Sequence, residues 1–142
     1  MNECKQIGFI KIESEFEEGS GVIILSKSEN NYYQMKVAQS HKYGMIAEIE
    51  LNSAEFSRLV GAFETAYKMI FEGVFHQERH MVDIIYLTDS KPKRQGTVII
   101  NIIRDYIVLV VSLTYGGDPD LIIDLEQTKD LIEICKRALK RE

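Results

Sequence analysis

The chain has 142 residues, a hydrophobic fraction of 45% and a formal net charge of −5. Its length suits one globular domain that buries a sizeable core. The acidic balance argues against a dedicated duplex-DNA binder, because such proteins usually carry a net positive charge.

The cysteine pattern and the hydropathy predict a cytoplasmic protein with no cofactor and no membrane segment. Cys4 and Cys135 stand far apart and outside any Cys-x-x-Cys pair, so they predict neither a disulfide framework nor a zinc site. The N-terminus does not have the apolar run of a signal peptide. The most apolar stretch, 98–113, is short and contains charged residues, so it is not expected to span a bilayer.

The first half of the chain predicts four strands and a helix. Residues 8–13 mix apolar and charged side chains in the manner of a strand. The elements predicted after it are, in chain order, the turn 15–21, the strand 22–25, the turn 28–31, the strand 32–39, the turn 41–44 and the strand 45–51.

A helix that faces the core is predicted next. Asn52 and Glu55 have the spacing of a capping box, in which each side chain bonds the backbone N–H of the other residue. Gly73 ends the pattern. Gly61 lowers helix stability and is expected to permit close packing. The apolar stripe of this helix consists of Phe56, Leu59, Val60, Phe63, Tyr67, Ile70 and Phe71.

The second half repeats the order of the first. Its predicted elements are the strand 82–88, the polar loop 89–96, the strands 98–103, 106–113 and 121–125, and the helix 128–139. Corresponding elements lie roughly 74 to 76 positions apart, which indicates an internal repeat. We therefore predict an α+β fold, a single domain made of two β4α repeats over about 6–73 and 81–141. Each repeat is expected to be an antiparallel sheet backed by one helix, and a pseudo-two-fold axis is expected to relate them.

The two halves differ in the faces of their strands. Apolar and polar residues alternate in the strand 32–39, as in a sheet with one face in water. The strands 98–103 and 106–113 are apolar on both faces. Both faces are therefore expected to be covered, either by a helix and the other repeat or by another subunit. On this basis we predict a homodimer.

A β4α unit duplicated within one chain resembles the Whirly and PUR-alpha group of single-stranded nucleic-acid binders. The resemblance covers nearly the whole chain and concerns the order of the elements. It implies sheets backed by helices, an oligomeric assembly and binding of single-stranded DNA or RNA. The lysine-glycine-lysine motif of Whirly proteins is missing and the net charge is acidic, so no binding residue is transferred from those families.

Single-strand binders need cations to follow the phosphates and exposed aromatic rings to stack on the bases. The polar face of the first predicted sheet and the basic loop 90–96 supply such residues. Glu48 and Glu50 lie on the same face, and their negative charges argue against a path for phosphates there. For the basic run, a solvated loop is the simpler interpretation. The residues predicted to bind single-stranded nucleic acid are Lys11, Tyr32, Lys36, Lys91, Lys93 and Arg94.

A protein–protein interaction or assembly module is the alternative function, with the apolar sheet of the second repeat as its docking surface. His76, Glu78 and His80 have a spacing at which alternate strand residues meet at a metal. The simpler interpretation is that these three side chains cover a connecting loop, so no metal site is predicted. No serine lies in a Gly-x-Ser-x-Gly motif, and a non-enzymatic protein is expected.

Overall fold

The structure is a computed structural model and describes residues 4–28, 31–73 and 78–140. Short 3-10 turns, Glu17–Gly19 and Pro92–Arg94, precede the second strand of each repeat. The strands are β1 (Cys4–Ile12), β2 (Gly21–Ser28), β3 (Tyr33–Gln39), β4 (Ile46–Leu51), β5 (Arg79–Thr88), β6 (Gln95–Ile103), β7 (Tyr106–Leu113) and β8 (Asp120–Ile123). The helices are α1 (Ser53–Glu72) and α2 (Leu125–Lys140).

The predicted fold class is confirmed. β1 to β4 form one antiparallel sheet in chain order and β5 to β8 form another, and a helix follows each sheet. Neither helix in the described residues is apolar enough over a sufficient length to cross a membrane. Both predicted ends of α1 are also confirmed. Asn52 and Glu55 exchange hydrogen bonds of 2.8 Å as a capping box, and Gly73 ends the helix with a left-handed φ of 63°.

Irregular features recur at one fixed distance along the chain. β1 and β5 each carry a bulge, at Ile7 and at Val82. Gly21 and Gly96 occupy equivalent places, and a Cβ at either would overlap a carbonyl oxygen of the neighbouring strand. Each of these pairs is 75 positions apart in the sequence. Since bulges and close backbone approaches depend on register, the repeat extends to the details of the sheets.

Each helix packs mainly against the sheet of the other repeat. α1 contacts β5, β6 and β7, whereas the main sheet contact of α2 is β1. Gly8 on β1 makes room for α2, because a Cβ there would overlap the side chain of Ile134. At the equivalent position of β5, Asp83 accepts hydrogen bonds of 2.7 and 2.8 Å from Arg58 of α1. The sequence predicts one helix for each sheet, and the structure adds this reciprocal exchange.

The hydrophobic core is shared by both repeats, because side chains from both sheets and both helices belong to one cluster. Phe56 of α1 stacks on Tyr33 of β3, with 4.2 Å between the ring centroids. The predicted stripe of α1 leaves the core at its end, where Phe71 is 73% exposed. A Cβ on Gly61 would meet nothing within 4 Å, so the expected close packing at this glycine is wrong.

Each sheet has one face in the core and an outer face that looks away from it. The first outer face consists of Gln6, Phe9, Lys11, Val22, Ile24, Ser26, Gln34, Lys36, Ala38, Ile46, Glu48 and Glu50. The second outer face consists of Arg79, Met81, Ile84, Tyr86, Thr88, Gln95, Thr97, Ile99, Asn101, Ile103, Tyr106, Val108, Val110, Ser112, Asp120 and Ile122. Core-facing residues alternate with these along the strands, as the pleat of a sheet requires.

The described chain does not cover both faces of the second sheet. Met81 and Tyr86 are 54% and 65% exposed, and Ile84, Ile99 and Val110 are half-buried. The expectation that a helix and the other repeat cover both faces is therefore wrong for these residues. Coverage by another subunit, the other expectation, remains a prediction.

Candidate functional site

The predicted basic loop docks on the first repeat. Residues 89–94, here called the second strap, contain one of the 3-10 turns and lie against β4. Arg94 is 6% exposed. Its guanidinium bonds both carboxylate oxygens of Glu55 at 2.8 and 3.1 Å, the carboxylate of Asp89, and the carbonyl oxygen of Glu50 at 2.8 Å. The N–H donors of the Arg94 guanidinium therefore bind groups of the protein itself.

Hydrogen bonds stabilise the charged form of the Arg94 guanidinium. The hydrogen bond to Glu55 is the largest effect that raises the pKa of Arg94, and it outweighs the desolvation that lowers it. Glu55 also caps α1, so one carboxylate binds both the helix terminus and the second strap. Arg94 thus links the two repeats.

Tyr32 and Lys91, two further predicted residues, are also brought together. The Lys91 Nζ lies 5.9 Å from the centroid of the Tyr32 ring, and the Arg94 Cζ lies 5.3 Å from it. The first repeat contains an equivalent loop, residues 14–20, here called the first strap. There Phe16 contacts Tyr106 edge to face, with the ring centroids 5.7 Å apart. The pair of Tyr32 and Lys91 is therefore equivalent to the pair of Tyr106 and Phe16. Each pair is a contact between the two repeats.

The remaining predicted cations lie beside carboxylates on the first outer face. Lys36 and Glu48 are cross-strand partners, and Glu48 also accepts a 2.7 Å hydrogen bond from Lys93. Lys11 forms an exposed ion pair of 3.2 Å with Glu13. Phosphates would have to compete with these pairs, which lowers the affinity that the lysines can give.

Tyr32, Lys91 and Arg94 form one cluster at the second strap, and Lys93 and Lys36 lie on two sides of Glu48. Lys11 lies elsewhere on the first outer face, next to β2. Sequence reasoning missed Phe9, which shares the outer side of β1 with Lys11 and is 52% exposed. Gly8 and Ile10, on either side of Phe9, face inward, and the alternation of a strand therefore indicates that Phe9 faces outward.

Equivalent positions of the two outer faces differ in polarity. The four replacements of a polar residue in the first sheet by an apolar one in the second are Gln6 by Met81, Gln34 by Val108, Lys36 by Val110 and Glu50 by Ile122. Lys11 is likewise matched by Tyr86. The strand register is equivalent at each of these pairs, so the replacements change the chemistry of the surface at matching positions.

The His-x-Glu-x-His segment gives no metal centre among the residues described. Glu78 lies 3.7 Å from Arg104 in an exposed ion pair, and His80 is half-buried on β5. His76 is outside the described residues. Across the described ranges, no three potential ligands of the histidine, cysteine or carboxylate type come together.

Comparison with known proteins gives no family model that matches the chain and no curated protein that matches it significantly. The resemblance to Whirly and PUR-alpha proteins therefore stays a prediction about element order.

Proposed function

We propose that the chain is a cytosolic protein-interaction module that self-associates through the second outer face. The supporting observation is the change from polar to apolar residues at equivalent positions of the two sheets. On this face Met81 is 54% exposed, and Ile84, Ile99 and Val110 are half-buried. A solvated β-sheet face has no need of these apolar side chains, and exposed apolar patches of this kind mark protein interfaces. Cys135, a free thiol, is in keeping with a reducing compartment.

A second copy of the chain fits the size of this face. Three strands of about eight residues and the four-residue β8, at spacings of about 4.8 Å and 3.3 Å, give a face of roughly 440 Å². Two such faces bury about 900 Å², which is in the range of weak interfaces. We therefore expect a dimer that forms in a concentration-dependent manner.

The charge distribution also favours a second copy. The chain carries a net charge of −5, so two copies repel each other at most orientations. Among the described residues of the second outer face, the charged side chains are Arg79 and Asp120, and they lie on the two edge strands β5 and β8. Two copies that meet through this face bring no like charges together at its centre. Face-to-face packing of sheets is a common solution for such surfaces.

Sedimentation equilibrium of matched variants tests self-association. Ile99 and Ile24 occupy the same register position in the two sheets. We expect Ile99→Lys to raise the dimer dissociation constant at least about tenfold and Ile24→Lys to leave it unchanged. Thermal melts show whether both variants fold. A wild-type chain that stays monomeric at about 100 μM, or equal effects of the two variants, would refute the proposal.

Binding of single-stranded nucleic acid to the first outer face is the second candidate function. The exposed ring of Phe9, with Lys11 and Lys36 on the same face, favours it. In polarisation titrations with labelled oligonucleotides, Phe9→Ala is expected to weaken binding without changing its salt dependence. Lys36→Gln is expected to weaken binding and to flatten that dependence. If the wild-type protein does not bind at low salt and tens of micromolar protein, this candidate is eliminated.

A further inference from the structure

The first strap builds a recess at one end of the second outer face. Ser14 and Ser20 close the strap through a 2.9 Å hydrogen bond from the Ser14 backbone N–H to the Ser20 hydroxyl. Gly19 lies so close to Ile122 of β8 that a Cβ would overlap it. The strap therefore rests directly on the sheet.

An apolar cavity of about 260 Å³ opens beneath this strap. Its apolar wall consists of Phe16, Ile103, Tyr106, Val108 and Ile122. The exposed pair of Glu78 and Arg104 stands at its edge. Pockets for drug-sized ligands are usually larger, about 300–1,000 Å³, so this cavity suits a single apolar side chain.

An acidic recess of about 250 Å³ lies beside the apolar cavity and shares Tyr106 and Ile122 with it. Carboxylates of Glu13, Glu15 and Asp124 line it, and Glu13 also pairs with the exposed Lys11 at 3.2 Å. The Tyr106 hydroxyl donates a hydrogen bond to Glu15, and this bond is the main cause that raises the pKa of Tyr106. The charges of Glu15, Asp124 and Asp105 raise this pKa further, in keeping with the carboxylates around the hydroxyl.

We propose that these two recesses together bind an extended segment of a partner protein in which an apolar residue stands two positions from an arginine or lysine. The apolar side chain enters the cavity beneath Phe16, and the basic side chain enters the acidic recess on the other side of Tyr106. Charge complementarity supports this occupant, because the recess is carboxylate-lined and the whole chain carries a charge of −5. In an extended peptide, residues two apart project on the same side about 7 Å from each other, which suits adjacent recesses.

The site lies at a different end of the second outer face from Tyr86 and Thr97. Ile103 and Thr97 are six residues apart on β6, which corresponds to about 20 Å along a strand. Segment binding is therefore separate from self-association, and each proposal can fail while the other holds.

Fluorescence polarisation with three labelled peptides tests the site. The probe carries one leucine two positions before an arginine in a serine–glycine background. One control peptide replaces the leucine by serine, and the other replaces the arginine by glutamine. We expect each control peptide to bind at least about tenfold more weakly than the probe, a loss of about 1.4 kcal/mol.

Two variants locate the binding on the protein. Phe16→Ala and Glu15→Gln are each expected to weaken probe binding at least about fivefold, and both side chains lie on an exposed strap. Lys91→Ala, at the position of the second strap that matches Phe16, is the control and is expected to bind normally. Sedimentation of the same variants checks that dimerisation is unaffected. No binding of the probe, equal binding of the serine control peptide, or normal binding by Phe16→Ala would overturn the inference.

Discussion

Arg94 of the second strap and Glu55 at the start of α1 form a two-point ion pair between the repeats, with Nη1–Oε1 and Nη2–Oε2 distances of 2.8 and 3.1 Å. The Arg94 side chain is 7% exposed and that of Glu55 is 20% exposed. A planar guanidinium matches a carboxylate at two points, which an ammonium group cannot do. This geometry places Arg94 among the residues that hold the fold together.

Replacement of Arg94 by glutamine is expected to lower the free energy of unfolding by about 2–4 kcal/mol, because Glu55 and Asp89 lose their shared partner. Half of the Asp89 side chain is exposed, so water compensates part of the loss. Lys93→Gln is the control. Lys93 pairs with Glu48 at a partly exposed position, and its removal is expected to cost less than about 1 kcal/mol. Urea unfolding measures both variants, and equal midpoints would contradict the structural role of Arg94.

The same contacts affect any test of nucleic-acid binding. Joint replacement of Lys91, Lys93 and Arg94 by glutamine is expected to reduce stability together with any binding. The sequence alone predicts that stability is unchanged, since it shows three basic residues in one polar loop. Lys36 and Lys11 are the better residues for such a test.

Gly61 offers a route to higher stability. Replacement by alanine is expected to raise the free energy of unfolding by about 0.5–1 kcal/mol, because α1 gains helix propensity and nothing obstructs the new methyl group. Gly73→Ala is the contrasting variant. Its φ of 63° is unfavourable for a residue with a Cβ, so we expect a loss of stability. Thermal melts of both variants should shift in opposite directions.

The Arg58–Asp83 pair predicts part of the acid dependence of stability. The hydrogen bond from Arg58 is the main cause that lowers the pKa of Asp83, since it favours the charged carboxylate in the folded protein. The pair therefore stabilises the fold above the unfolded pKa of Asp83, and this contribution is lost as the pH falls through the lower folded pKa. Arg58 is half-exposed, so the effect is expected to stay below about 1 kcal/mol.

Asp83→Asn is expected to show a smaller loss of stability than the wild type between pH 6 and pH 2. Asp130→Asn, at an exposed position of α2, serves as the control and should follow the wild type. Urea midpoints across this pH range measure the difference. If Asp83→Asn loses as much stability in acid as the wild type does, the pair does not contribute in this manner.

Cys135 is expected to be unreactive in the folded protein. Burial raises the pKa of the Cys135 thiol to about 12, and the residue is 1% exposed. In a Cys4→Ser background, a thiol reagent at pH 8 should label Cys135 only after urea unfolds the chain. Rapid labelling without urea would show that α2 separates readily from β1.

Local patterns in the sequence predict the elements of this fold well. The Asn52–Glu55 capping box, the stop at Gly73 and the strand 106–113 are confirmed at the residues expected. α2 begins earlier than predicted, at Leu125, because the Asp124 carboxylate accepts a 2.8 Å hydrogen bond from the backbone N–H of Gln127. The exchange of helices depends on contacts between distant residues, and no periodicity in one segment contains that information.

The candidate site shows a similar division. The sequence names Tyr32, Lys91 and Arg94 as candidate nucleic-acid contacts, and the structure places these three side chains beside one another. The sequence does not reveal the carboxylates that neutralise Arg94. Glu55 is 39 positions away from Arg94, and only the docking of the second strap brings them together. A charge run is therefore insufficient to predict an exposed cationic surface.

The packing of α1 and α2 on each other's sheets has a consequence for half-length chains. One β4α unit alone would need a second copy to cover its sheet, since each helix here packs mainly on the other unit. In such a pair of identical chains, both outer surfaces would have to be identical as well. A single chain has no such requirement, and Lys36 and Val110, which occupy the same register position in the two sheets, show the difference in polarity that it permits.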